Sequence, residues 1–521
     1  MYTEFIRHPF YLFILKNNYM TEKVGTIIST EDSPSSEKIS FVLEKPVNKE
    51  QFVEYDAGNG KAIARVSRVR KSNIFYHNPE SVSESAKNDV KLQDQFPTEE
   101  REQLIGEGRI LGIYTPKLIK RPSFPPSPGT EIYLADKNRL ADFLGLDIEN
   151  GLNLGEVQFQ ELDAKINMTK LFQKHFAILA QSGAGKSYLA SVMIEEILDR
   201  DRKKGNIGLV SIDPHGEYAG FGRDHDYGHR VEVFRGNDIK IGLSNITPGK
   251  MAHYFSDVST AQKREIIKVI SEMRKKMRNG GGAYSLKDME RNIEEADMDK
   301  KTKRIWLDRI NRMKSMNLFG LYDQPSINRV EQGKMVVLDL SDIIDYKKKQ
   351  IITAYFGDRL FKARMNGEIP PFLFLVEEAH NFVPENVSSD VALARSTITK
   401  IAREGRKFHA SLGLISQRPV GLSTTALSQC NTHMILRVTN PNDLERIKQS
   451  SEGVTSDVIR SISGLRVGEG ILVGEAVDYP TFISIRQRKS EEFETGKNLE
   501  EAALEYREKV EKEKDEIDAF M

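Results

Sequence analysis

The sequence predicts an α/β fold: a mostly parallel sheet flanked by helices, with a small β-barrel ahead of it. Two rhythms carry that reading. Before about residue 150, short pieces rich in Val, Ile, Tyr and Phe alternate with turn material; after it, continuous apolar runs alternate with amphipathic helices. A third observation, a charged stretch at about 247–320 without strand signal, predicts a helical insertion in the second part.

Residues 1–19 contain no apolar run longer than the six residues 10–15. A secretory segment needs about 7–15 such residues and a membrane helix about 20. This stretch therefore reads as a non-native or disordered extension, with Met20 the candidate start of translation. From 20 to 150, the pieces 24–30, 39–44, 62–69 and 109–114 are strand-like, and Asp56-Ala-Gly-Asn-Gly60 supplies a turn. The polar stretch 77–102 reads as a long loop or a marginal helix. Arg121-Pro-Ser-Phe-Pro-Pro-Ser-Pro-Gly129 reads as stiff loop.

From 151 to 489 the apolar runs are 176–180, 207–212, 335–340, 372–376, 412–416 and 434–438. Their continuity suits strands buried on both faces of a parallel sheet. Between 187 and 200, Leu189, Met193 and Ile197 recur every four residues, the mark of a helix with one buried stripe. The insertion carries Lys263, Arg264, Lys268, Arg274, Lys275, Lys276 and Arg278 ahead of Gly280-Gly-Gly282. The tail, 490–521, is helix-prone. Its twelve acidic and five basic residues give it a charge of −7, leaving the body at +7. A solvated terminal helix is the expectation.

Hydrophobic residues at 39% and charged residues at 29% exclude a disordered chain, a coiled coil and a collagen-like fibre. A net charge of zero excludes a strongly basic nucleic-acid glove but leaves room for a local basic channel. The single cysteine, Cys430, excludes an internal disulfide framework and fits a reducing, cytoplasmic compartment. No segment suggests a membrane anchor.

Ala180-Gln-Ser-Gly-Ala-Gly-Lys-Ser187 follows an apolar run and opens a helix. Glycines let the backbone wrap an anion, and the helix N-terminus holds phosphates. We therefore expect Ser182, Gly183, Ala184, Gly185, Lys186, Ser187 and Tyr188 to bind ATP, with Lys186 on the β- and γ-phosphates and Ser187 on Mg²⁺. Ala180 stands where the strict pattern has glycine. The apolar run 372–376 ends in Glu377 and Glu378. One acid can hold the metal shell and the other can polarise the attacking water, so Glu377 is assigned to Mg²⁺, directly or through water, and Glu378 to the water.

Gln417 ends another buried run and can sense the γ-phosphate. Arg395, Arg403 and Arg406 precede that run; an arginine placed across a subunit boundary can stabilise the transferring phosphoryl group. Asp213, in Ile212-Asp-Pro-His-Gly-Glu-Tyr218, ends a strand at the nucleotide crevice and is a second candidate for the metal. His215 lacks the spaced partners of a zinc site, so a hydrogen-bonding or packing role is expected.

Jointly and in order, Ser182-Gly-Ala-Gly-Lys-Ser187, Asp213-Pro-His-Gly-Glu-Tyr218, Val376-Glu-Glu-Ala-His-Asn-Phe382, Ala402-Arg-Glu-Gly-Arg-Lys407, Ser416-Gln-Arg-Pro419 and Gly474-Glu-Ala-Val477 resemble the archaeal HerA DNA translocases over about 20–488. The resemblance implies a RecA-like P-loop ATPase core behind a small barrel, and a homohexameric ring on duplex DNA. It also implies a NurA-type nuclease as partner in resecting DNA ends for recombinational repair. By family position Arg403 acts in trans, with Arg406 the second candidate. Two other readings compete: a conjugation- or packaging-type P-loop motor, and a nucleotide-regulated DNA-binding scaffold that recruits a nuclease. The paired acids argue against the scaffold, because a switch that never hydrolyses needs no water-activating acid.

Overall fold

The computed structural model describes residues 22–73, 76, 83, 102–255, 258–451, 453–492 and 499–520. The expectation for 1–19, and nearly all of that for 77–102, lies outside them. The chain divides into two units. The first takes residues up to 151, 155–165 and 477–484; the second takes 152–154, 166–476 and 485 onward.

In the first unit, β1 (Lys23–Ile28), β2 (Lys38–Leu43), β3 (Phe52–Asp56), β4 (Lys61–Asn73), β5 (Glu102–Thr115), β6 (Leu118–Lys120) and β7 (Glu131–Leu134) run in the order β2-β1-β7-β3-β4-β5-β6. An added antiparallel pairing of β2 with β5 closes six of them into the expected barrel, which leaves β6 outside the ring. Closure removes free edges. The Asp56–Gly60 turn joins β3 to β4, with the Gly58 N–H donating to Asp56 Oδ1 at 2.7 Å. Val24, Ile39, Phe41, Val53, Ala62, Ala64, Val66 and Ile132 fill the interior. Register shifts at Ile63/Ala64 and Val66/Arg68 bend the long β4–β5 ribbon, as bulges do. The Pro-rich stretch 121–129 is loop.

Further along the chain come β8 (Leu152–Val157), β9 (Asp163–Ile166), β10 (Phe176–Leu179), β11 (Gly208–Asp213), β12 (Val231–Arg235), β13 (Ile241–Gly242) and β14 (Phe319–Gly320). They are followed by β15 (Met335–Asp339), β16 (Phe372–Val376), β17 (Ala410–Ser416), β18 (Thr432–Ile435), β19 (Glu469–Gly474) and β20 (Thr481–Ile485). The second unit is built on the order β12-β15-β11-β16-β17-β10-β18-β19. All neighbours from β12 to β18 are parallel, and β19 is antiparallel. Each of the six expected runs overlaps one of these strands, and every residue of those six strands is buried. The sixth lies two residues earlier than the apolar run suggested, because Thr432 and His433 are buried in the sheet too.

Between β13 and β14 stand the helices Pro248–Tyr254, Thr260–Lys276, Leu286–Glu295 and Lys300–Ser315, the predicted insertion. Ser259 and Ser285 open two of them with reciprocal capping boxes. Trp306 is buried among them, its indole N–H donating to the Gln262 carbonyl at 3.0 Å. The tail contains the helix Leu499–Phe520. Among the described residues, no helix is long and apolar enough to cross a membrane.

Candidate nucleotide site

The second unit gathers its chemistry at the carboxyl ends of its parallel strands, where open α/β sheets bind ligands. β10 runs into the loop 180–185 and the helix Lys186–Asp199. Gly183 and Gly185 have φ of +74° and +93°, a left-handed backbone that L side chains resist. A Cβ on Gly183 would meet nothing within 4 Å, so conformation rather than space demands glycine there. Gly185 caps the helix without a side chain, which leaves the first-turn N–H groups available to an anion.

Lys186 is buried and reaches across to both acids: its Nζ contacts Glu377 Oε1 and lies 3.3 Å from Glu378 Oε1. Burial opposes its charge, but the two carboxylates outweigh that and raise its pKa. Glu377 is fully buried and accepts the Tyr218 hydroxyl at 2.6 Å. Its burial pushes the carboxyl up, and Lys186 and Tyr218 pull against that shift. Glu378 behaves oppositely: burial is overcome by His380 and Lys186, which hold its pKa below the usual range. Its backbone is left-handed, with φ 48° and ψ 47°, a strained state for a non-glycine residue that clusters at functional sites.

Ser182, Gly183, Gly185, Lys186, Ser187, Tyr188, Glu378 and Gln417 line one cavity of about 650 Å³. Ala184 is buried under the loop. This volume is in the range of nucleotide-sized pockets.

Residues 152–360 match the family model described as helicase HerA, central domain. The DNA double-strand break repair helicase HerA of Pyrococcus furiosus is 27% identical over 89% of this chain and 92% of its own length. The protein of the same name from Saccharolobus solfataricus is 25% identical, over 87% and 90%. The family model thus matches the central part of this chain, and the likeness to proteins named HerA extends along most of its length. Among solved structures, VirB4 of Thermoanaerobacter pseudethanolicus shares the fold. Its TM-score is 0.53 at 16% identity, covering 66% of this chain and 98% of that one.

Two expectations change at this site. Asp213 does not face the cavity. It is fully buried, and its two oxygens accept the N–H groups of His215, Gly216, Glu217 and Tyr218 at 3.3, 2.9, 3.0 and 2.8 Å. Burial still pushes its carboxyl up to about 7, against the pull of the Tyr218 and Glu217 N–H groups. Its work is to hold the turn that aims Tyr218 at Glu377, not to present a metal ligand. His215 is exposed and lines the cavity beside Glu217, so it is not a packing residue.

Arg403 and Arg406 are exposed and lie outside the cavity. Arg403 lines a second one with Arg395, Lys400 and His253. Arg406 interacts with Glu475, which follows β19 at the opposite end of the sheet. The seven residues of β17 span about 20 Å, so an arginine before that strand does not serve the phosphate loop beyond it.

Glu217, Val467, Gly468 and Ile485 also line the cavity and were missed. Val467 and Gly468 sit about 4.0 Å from a Cβ placed on Gly185. Glu217 could have been read from its place in the motif after β11. The other three carry no local chemical signal.

Proposed function

We propose that this chain is an ATP-driven translocase and helicase that forms a homohexameric ring on duplex DNA. In this reading it works in the cytoplasm with a NurA-type nuclease in end resection for double-strand break repair. The observation that carries the reading is the convergence of Lys186, Glu377 and Glu378 beside the loop 182–187, in a chain whose residues 152–360 match the HerA helicase central domain.

The residues fit ATP and Mg²⁺. Two left-handed glycines leave an uncapped helix N-terminus facing a cavity of suitable size, and Glu378 Oε2 is buried without an aligned hydrogen bond. Bound ATP supplies the phosphoanhydride whose hydrolysis drives the motor. Lys186 would leave Glu377 Oε1 to neutralise phosphate oxygens, and Ser187, with the Glu377 oxygen so released, would hold the metal directly or through water. Glu378 orients a water and takes its proton. Gln417 faces the terminal phosphate from the end of β17. Arg403, with Arg406 as second candidate, acts from a neighbouring subunit, because neither reaches the loop of its own chain. Contacts to the duplex are mainly electrostatic and therefore salt-sensitive.

The test is ATP hydrolysis with and without linear duplex DNA at two salt concentrations, wild type beside Lys186→Ala. DNA should stimulate turnover, salt should weaken the stimulation, and the variant should lose about 10²–10³-fold or more. Turnover indifferent to DNA would defeat the translocase reading. Mixing Lys186→Ala with Arg403→Ala chains checks the shared site: each alone should be inactive, and the mixture should recover part of the activity. A mixture as inactive as its components would remove Arg403 from the site.

A further inference from the structure

Glu378 has an unusual setting, and one neighbour accounts for it. Its left-handed backbone opens the turn Ala379–Asn381, in which the Asn381 N–H donates to the Glu378 carbonyl at 2.8 Å. That turn brings residue i+2, His380, back over the carboxylate. Oε1 faces Lys186 at 3.3 Å, while Oε2 is buried and meets His380 Nδ1 at 3.2 Å. The same Nδ1 lies 3.2 Å from Ser416 Oγ, and that hydroxyl accepts the Arg418 N–H at 3.0 Å. Ser416 ends β17 and immediately precedes Gln417, which lines the cavity.

An ionised carboxylate only accepts hydrogen bonds, so an Nδ1–H shared between Glu378 and Ser416 satisfies both contacts. Without it, the carboxylate has Lys186 as its remaining cationic neighbour and is free to swing onto that ammonium, away from a water above the loop. Catalytic hydrogen bonds are often loosely aligned before substrate binds, as this one is.

We propose that His380 is a positioning residue: it holds the Glu378 carboxylate off Lys186 and ties it through Ser416 to the end of β17 that carries Gln417. The proposal rests on the reading of Glu378 as the water-activating acid. It makes the acid on β16 and the phosphate-facing amide on β17 one mechanical unit.

The experiment compares steady-state ATP hydrolysis and the affinity for a fluorescent ATP analogue in the full chain. The variants are His380→Ala, His380→Asn, Glu378→Gln and His380→Ala/Glu378→Gln. His380→Ala should lower kcat about tenfold to a hundredfold, the scale of a misplaced catalytic group, with KM and analogue affinity within about twofold. His380→Asn, which keeps an N–H at the Nδ1 position, should recover most of that loss. The double variant should be no slower than Glu378→Gln alone, because the two act as one unit. Unchanged kcat in His380→Ala beside an inactive Glu378→Gln would overturn the proposal and leave the function standing. So would equal losses in the Ala and Asn variants together with weakened analogue binding, which would mark a structural role. A wild-type chain that hydrolyses nothing would overturn the functional reading first, and this inference with it.

Discussion

The two ends of the parallel sheet in the second unit are built on opposite rules. At the carboxyl ends, Lys186, Glu377 and Glu378 are pressed together in burial, Glu378 is held in a left-handed backbone, and the charges answer mostly to one another. At the amino ends, buried polar groups are neutral or satisfied by backbone. Asn206, ahead of β11, donates to the Ile197 and Arg200 carbonyls at 3.0 and 2.9 Å and accepts the Ile207 N–H at 2.7 Å. His175, ahead of β10, accepts the Leu412 N–H at 3.0 Å. Arg364 donates to the carbonyls of Phe408 and Ile369, ahead of β17 and β16. One end keeps charge ready for a ligand; the other locks the strands in register. Substitutions at the first should therefore cost activity, and at the second stability.

The largest separation comes from Glu378→Gln. Hydrolysis should fall by about 10²–10⁴-fold, the range of a lost general base, while analogue affinity stays within a few-fold. The urea midpoint should fall only slightly, because Lys186 keeps Glu377 as its partner. A variant that unfolds readily would place Glu378 among the structural groups and blur the contrast. Next is Asn206→Ala, which removes three hydrogen bonds to backbone, two of them buried, and should cost about 2–4 kcal/mol. Its turnover per folded molecule should match wild type. A loss of turnover at full stability would break the comparison from the other side.

The same division explains what the sequence disclosed. The strands β10, β11, β15, β16, β17 and β18 were legible because burial on both faces forces continuous apolar runs. β12, Val-Glu-Val-Phe-Arg, was not, because it pairs on one side only and alternates in composition. β3 and β7 are short barrel strands whose burial comes from closure. At the site, Glu377, Glu378 and Gln417 could be read because each stands at the end of an apolar strand, and Lys186 because the glycine-rich loop marks it. Asp213 was misassigned for the same reason: a strand-end acid looks alike whether it faces the cavity or turns inward onto four amides. Val467 and Gly468 come from a loop and Ile485 from a strand end far along the chain, and only the fold brings them to the cavity.

The smallest predicted effect tests the amino-end rule by pH. Burial lowers the His175 pKa from 6.5 to about 4, partly opposed by the Ala402 carbonyl. Between those values the unfolded chain binds a proton that the folded chain refuses, so stability rises with pH across the window. The contribution is complete above about 6.5 and is lost as pH falls toward 4; at pH 5 the loss is about 2 kcal/mol. His433, also lowered to about 4 by burial, adds in the same direction. Asp213 works the other way, since its folded carboxyl near 7 keeps a proton that the unfolded one releases from about 4 upward. The net slope of the wild type is therefore uninformative, and the difference between chains is what counts. Unfolding in urea at pH 5 and pH 7 should show a weaker acid loss in His175→Gln than in wild type, by about 2 kcal/mol. An identical loss in both would mean that His175 is already charged in the fold, and that the amino ends tolerate the buried charge this comparison denies them.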